Sequence, residues 1–151
     1  MMSRERVYFS LGSNIGDREA NIREALSRMD DAFGRSWAAL SDMVETVSWG
    51  FEGQDFINAA VMYELDMEPV EVLGVCKDIE RQMGRREVFE TDENGARVYH
   101  DRIIDIDILL YGDRRVDTEV LKIPHPLMYE REFVMRPLRQ IMPLQEGVDQ
   151  D

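Results

Sequence analysis

The stretch that most limits how this chain can fold is DRIIDIDILLYG, residues 101–112. In an extended strand Ile104, Ile106, Ile108 and Leu110 line one face, and Ile103, Asp105, Asp107 and Leu109 the other. The first face is unbroken hydrocarbon and has to cover a core. The second sets two carboxylates side by side, with Cα atoms ~6.6 Å apart from the strand rise. Like charges at that spacing repel, and partial burial sharpens the cost. Two readings account for the pattern: a solvent-facing strand surface on which alternating Asp is merely polar, or a seat for hard divalent cations, which take oxygen ligands. A pair of Mg²⁺ ions ~3.5–4 Å apart can share two such carboxylates and serve phosphoryl chemistry.

The rest of the chain narrows the choice. With 151 residues it fits one domain, residues 1–151, and 44% hydrophobic with 9% aromatic residues is the composition of a folded globular protein. A net charge of −13 disfavours nucleic acid and anionic membranes as partners. Apolar runs stay far below the ~20 residues that span a bilayer. A strand-like run begins within six residues of the start, so no leader is expected. The lone Cys76 lies in a helical pattern and reads as a small core residue. The cytoplasm is the expected compartment.

Arg6-Val7-Tyr8-Phe9-Ser10-Leu11 reads as a strand ended by the turn-forming Gly12-Ser13-Asn14. Asp17 can cap a following helix with Ala20, Ile22, Ala25, Leu26 and Met29 at helical spacing. A second strand region covers 37–47, and Phe56 to Leu65 is a third strand. A second helix begins near Pro69, carries the stripe Val72, Val75, Cys76, Ile79 and Met83, and ends at Gly84. Residues 85–101 form a polar excursion with Asn94-Gly95, of a size expected of a lid. After the aspartate strand come a short hairpin partner near Val116 and a helical tail over 126–142. The order β-α-β-β-α-β predicts an α+β, ferredoxin-like (split βαβ) sandwich with a largely antiparallel sheet.

Seven motifs in order carry a resemblance: Leu11-Gly12-Ser13-Asn14; Thr46 through Trp49-Gly50; Asp55-Phe56-Ile57-Asn58-Ala59-Ala60; Ile79-Glu80 with Gly84-Arg85; Arg102-Ile103-Ile104-Asp105-Ile106-Asp107-Ile108; Ile123-Pro124-His125-Pro126; and Arg131-Glu132-Phe133 with Pro137-Leu138. Across nearly its full length the chain resembles the 6-hydroxymethyl-7,8-dihydropterin pyrophosphokinase family of folate biosynthesis. The resemblance implies transfer of the β,γ-pyrophosphoryl group of ATP to the pterin hydroxymethyl oxygen, leaving AMP. It implies two Mg²⁺ ions on Asp105 and Asp107, and Arg85 and Arg102 completing the catalytic set. Lys77, Glu80, Ile108, His125 and Arg131 are implied, with Arg102, at the ATP, Glu80 at the ribose. Gly12, Thr46, Val47, Ser48, Trp49, Phe56, Asn58 and Phe133 are implied at the pterin.

Physical chemistry supports several of these roles and offers bland alternatives to all of them. Asn58 stands on an otherwise apolar strand face, and a buried amide left unpaired costs ~1–3 kcal/mol. A structural hydrogen bond would satisfy it; so would the donor–acceptor edge of a pterin. Phe56 and Phe133 are either core residues or stacking partners. Arg85 follows a helix end, where a cation is mildly favourable anyway, whereas Arg102 suits phosphate oxygens. His125 between prolines reads equally as a turn residue, and Glu80 as a solvated helix-surface acid.

The chain departs from the family pattern at Val98-Tyr99-His100-Asp101, at Arg86-Glu87, and at Val120 and Lys122, where Arg and Thr are common. These departures bear on lid contacts and nucleotide affinity, and Tyr99 is a candidate aromatic lid contact. A monomer is expected. The rival readings are a non-catalytic pterin or nucleotide-binding module on the same fold, and a nucleotidyl transferase releasing pyrophosphate.

Overall fold

The computed structural model describes residues 4–46, 55–84 and 103–142. Among these, a five-stranded antiparallel sheet runs β2-β4-β1-β5, with β3 also on β4. The strands are β1 (Glu5–Ser13), β2 (Ala39–Leu40), β3 (Val44–Thr46), β4 (Phe56–Leu65) and β5 (Asp105–Tyr111). The helices are α1 (Arg18–Phe33), α2 (Pro69–Gln82) and α3 (Glu132–Ile141). The architecture is the α+β, ferredoxin-like sandwich read from the sequence.

The helices form where their end signals stand. The Asp17 carboxylate accepts from Ala20 N–H at 3.1 Å, and Gly34 closes α1 with φ 69°. Pro69 opens α2, and Gly84 ends it at φ 102°. Both helices pack on one face of the sheet, where Val7, Phe9 and Leu11 of β1 meet Ile22, Met29, Val72, Cys76 and Ile79. Phe9, Phe33 and Tyr63 form an aromatic cluster with centroids 5.0–6.0 Å apart. Burial pushes the Cys76 thiol pKa well up, so it is a core residue and no nucleophile. On the opposite face α3 brings Val134 and Leu138 against Tyr8, Ala60 and Met62. Both faces of β1 and β4 are thus covered.

Five local expectations need correction. First, β1 does not stop before Gly12: it runs through Ser13, because Gly12 pairs with Asn58 on one side and Asp105 on the other. Second, the 37–47 strand is broken into β2 and β3. At the break the Ser41 hydroxyl, not a carbonyl, accepts the Ala60 N–H at 2.8 Å. Third, Leu110 leaves the isoleucine face. The register slips between Tyr8 and Phe9, leaving Leu109 as an extra residue on β5, so Tyr111 rather than Leu110 joins Ile104, Ile106 and Ile108 in that core. Fourth, Val116 is no partner of the aspartate strand. It belongs to β6 (Val116–Asp117), paired with β7 (Lys122–Ile123) around a turn in which Thr118 Oγ1 accepts from Leu121 N–H. The helical tail is likewise shorter, a 3₁₀ turn (Met128–Glu130) preceding α3.

Candidate active site

Residues directly opposite one another on paired strands project to the same face. The registers Gly12↔Asn58 and Gly12↔Asp105 therefore make one row across three strands, and Ser10↔Ala60 with Ser10↔Asp107 the next. Asn58 and Asp105 stand two strand spacings apart, about 10 Å. Between them only a glycine contributes to the surface.

The Gly12 gap is specific. A Cβ there would lie 2.8 Å from Asn58 Oδ1 and 3.6 Å from the Phe56 ring. Asn58 is buried, and its Nδ2 donates to Thr46 Oγ1 at 3.2 Å across the β3–β4 pair. That bond turns the amide so that its oxygen faces the glycine. Gly12→Ala is expected to leave the fold intact, the backbone there needing no positive φ, but to displace the amide.

Asp105 and Asp107 lie partly buried at the edge strand. Burial first, then Asp105, then Glu80 push the Asp107 carboxyl up to about 7, against the opposing pull of Lys77 and Arg131. Among the described residues no three His, Cys, Asp or Glu side chains converge as a complete metal site. A cation held here would take its remaining ligands from a bound group or water, the habit of Mg²⁺ with phosphates. The all-oxygen donor set fits that ion.

Beside Asp107 opens a cavity of about 250 Å³, lined in part by Lys77, Ile106, Ile108, Val120 and His125. His125 Nδ1 accepts from Leu127 N–H at 3.3 Å, leaving the ring proton on Nε2. Burial lowers the His125 pKa, Arg131 lowers it further, and Asp105 opposes both, so the imidazole is neutral at pH 7. Arg131 stands 5.7 Å over the Phe133 ring at the start of α3, and Phe133 is exposed.

The structure thus brings Lys77, Ile108 and His125 to one cavity with Asp107, and Gly12, Thr46, Phe56 and Asn58 to the adjoining sheet surface. Arg131 acts electrostatically on both Asp107 and His125. Glu80 differs from expectation. It is neither solvated nor turned to an open surface: 2% exposed, it accepts the Ile106 N–H at 2.8 Å. Val47, Ser48, Trp49, Arg85 and Arg102 lie outside the described residues, as do Arg86, Glu87 and Tyr99. Sequence reasoning missed Arg18, whose guanidinium donates to Asp55 O at 2.6 Å and pairs with Glu45 at 2.9 Å. It ties the start of α1 to both strands that carry Thr46 and Asn58. Its place in the first helical turn gave no sign of this.

The family model described as 7,8-dihydro-6-hydroxymethylpterin-pyrophosphokinase (HPPK) matches residues 8–143. The chain belongs to the HPPK family. It is 42% identical over 139 residues to the 2-amino-4-hydroxy-6-hydroxymethyldihydropteridine pyrophosphokinase of Porphyromonas gingivalis, covering 91% of this chain and 90% of that protein. Identity to the Bacillus subtilis enzyme of the same name is 39%, covering 89% and 77%. A folate synthesis bifunctional protein of Arabidopsis thaliana is 40% identical over 97% of this chain, which spans 29% of that longer protein. The HPPK match takes in both the Asn58–Gly12–Asp105 row and the cavity beside Asp107.

Proposed function

We propose that this HPPK-family chain transfers pyrophosphate from ATP to 6-hydroxymethyl-7,8-dihydropterin in folate biosynthesis, with Asp105 and Asp107 as ligands of two Mg²⁺ ions. The diphosphokinase activity is the family's. The observation that carries the residue assignment is the row Asn58–Gly12–Asp105, which sets a hydrogen-bonding amide and a cation-seeking acid on either side of one glycine.

Bound Mg²⁺ supplies charge neutralisation at the triphosphate oxygens and lowers the pKa of a coordinated hydroxyl. The protein's own part is positioning and electrostatics, which dominate phosphoryl transfer. Asp105 and Asp107 fix the ions against the sheet. Lys77 and the His125 Nε2–H present donors to the phosphates along the cavity, Ile108 gives the nucleotide an apolar wall, and Arg131 adds positive charge. Arg85 and Arg102 are assigned to the triphosphate from the family pattern. Asn58 reads the pterin edge, Phe56 and Phe133 stack on its ring, and the main chain of Thr46, Val47, Ser48 and Trp49 completes the pocket beside Gly12. We assign residues 1–151 to a single pyrophosphokinase domain acting as a monomer in the cytoplasm. The charge of −13 argues against nucleic-acid and membrane partners. No described helix is long and apolar enough to cross a membrane.

Incubating the protein with Mg-ATP and the reduced pterin tests the reading through its products. AMP and pyrophosphorylated pterin are expected in equal amounts. Pyrophosphate release would favour a nucleotidyl transferase, and pterin or nucleotide binding without turnover a non-catalytic module.

A further inference from the structure

Glu80 is an acidic side chain sealed inside the protein, 2% exposed. The reason lies in β5. Among the described residues this strand is the edge of the sheet, paired with β1 alone. In an antiparallel pair successive residues direct their peptide groups alternately toward the partner strand and away from it. The Ile106 N–H goes to Glu80 Oε2 at 2.8 Å, so it points away from β1. The peptide groups of Asp105 and Asp107 therefore point inward, toward Gly12 and Ser10, their partners in the register. An outward N–H on an edge strand needs an acceptor. A glutamine or a loop carbonyl would serve without burying a charge.

The carboxylate at this position reaches from α2, 26 residues earlier, to the one peptide N–H that lies between the two aspartates. Its other oxygen stands 3.6 Å from Lys77 Nζ, on the wall of the cavity beside Asp107. One side chain thus links the metal-seeking strand to a cavity lysine.

We infer that Glu80 is a positioning residue: it clamps the Ile106 peptide from outside the sheet, so that Asp105 and Asp107 are held at the spacing a divalent cation requires. This rests on the assignment of those two aspartates as Mg²⁺ ligands. It also separates Glu80 from direct recognition of the ribose, for which 2% exposure leaves little surface.

The test compares wild type with Glu80→Gln, which keeps an acceptor of the same shape, and Glu80→Ala, which removes it. Three readouts are taken: hydrogen exchange of the Ile106 amide, affinity for Mn²⁺ in the presence of a nonhydrolysable ATP analogue, and the ratio of kcat/KM for ATP to that for 3′-deoxy-ATP. Glu80→Ala is expected to speed Ile106 exchange at least tenfold, weaken Mn²⁺ binding at least tenfold and leave the nucleotide ratio unchanged. Glu80→Gln is expected to restore amide protection and to hold Mn²⁺ within about threefold of wild type. Unchanged Mn²⁺ affinity in Glu80→Ala, or a nucleotide ratio that collapses to one, overturns the inference. Should Glu80→Ala fail to fold, Glu80→Gln decides alone: Mn²⁺ affinity lost with Ile106 still protected contradicts positioning through the peptide. If the aspartate assignment itself is wrong, Asp105→Ala and Asp107→Ala with the analogue hold Mn²⁺ as tightly as wild type, a result visible before any Glu80 variant is made.

Discussion

Asp107→Asn is expected to abolish pyrophosphate transfer while making the metal-free protein more stable at alkaline pH. The two effects have one cause. Burial, Asp105 and Glu80 hold the Asp107 carboxyl at about 7, against an ordinary value of 3.8. Between those pH values the folded protein keeps a proton that the unfolded chain releases. Stability therefore falls as pH rises from about 4 to about 7, and the full penalty persists above that. A shift of this size corresponds to at most about 4 kcal/mol. The asparagine pays its own desolvation, so a net gain of about 1–2 kcal/mol at pH 8 is the expectation. That is roughly 2–8 °C in Tm for a chain of this length. At pH 4 the gain should vanish. Activity should fall by at least about 10²–10³-fold, the scale on which removal of one electrostatic stabiliser acts. Thermal melts at pH 4 and pH 8, with AMP formation assayed in parallel, check both halves. A variant that is active, or destabilised equally at both pH values, contradicts the account.

Asn58→Ala should act on the other substrate. Its amide is turned by Thr46 and faced by Gly12, and in the proposed function it offers both a donor and an acceptor to the pterin edge. Losing two hydrogen bonds in a buried site costs about 2–4 kcal/mol, so kcat/KM for the pterin should fall roughly 10²-fold or more. KM for ATP should stay within about twofold. Steady-state kinetics with each substrate varied in turn separates the two. An equal loss on both substrates would mean that Asn58 supports the sheet and does not read the pterin.

Much of the fold was legible because its signals are local. Asp17, Pro69 and Gly84 mark helix ends through their own backbone chemistry. Alternation in β5 separated the isoleucine face from the carboxylates before any partner strand was known. What remained hidden depends on contacts between distant segments. The extra residue at Leu109 exists only in the register between β1 and β5. The break at Ser41 needs a hydroxyl to replace a carbonyl opposite Ala60. Glu80 has the helical spacing of an outward acid, and only the edge position of β5 turns it inward. The candidate site divides the same way. Asp105 and Asp107 announce themselves by adjacency, and Asn58 by its apolar surroundings. That Gly12 lies directly between Asn58 and Asp105 is a fact of strand pairing, which no single stretch contains.

The most direct test is a crystal structure of the protein with Mg²⁺ and a nonhydrolysable ATP analogue. The prediction is magnesium coordinated by both Asp105 and Asp107 and by oxygens of the triphosphate, with the phosphates in the cavity beside His125. Magnesium bound elsewhere on the protein, or both carboxylates turned away from the nucleotide, would contradict it.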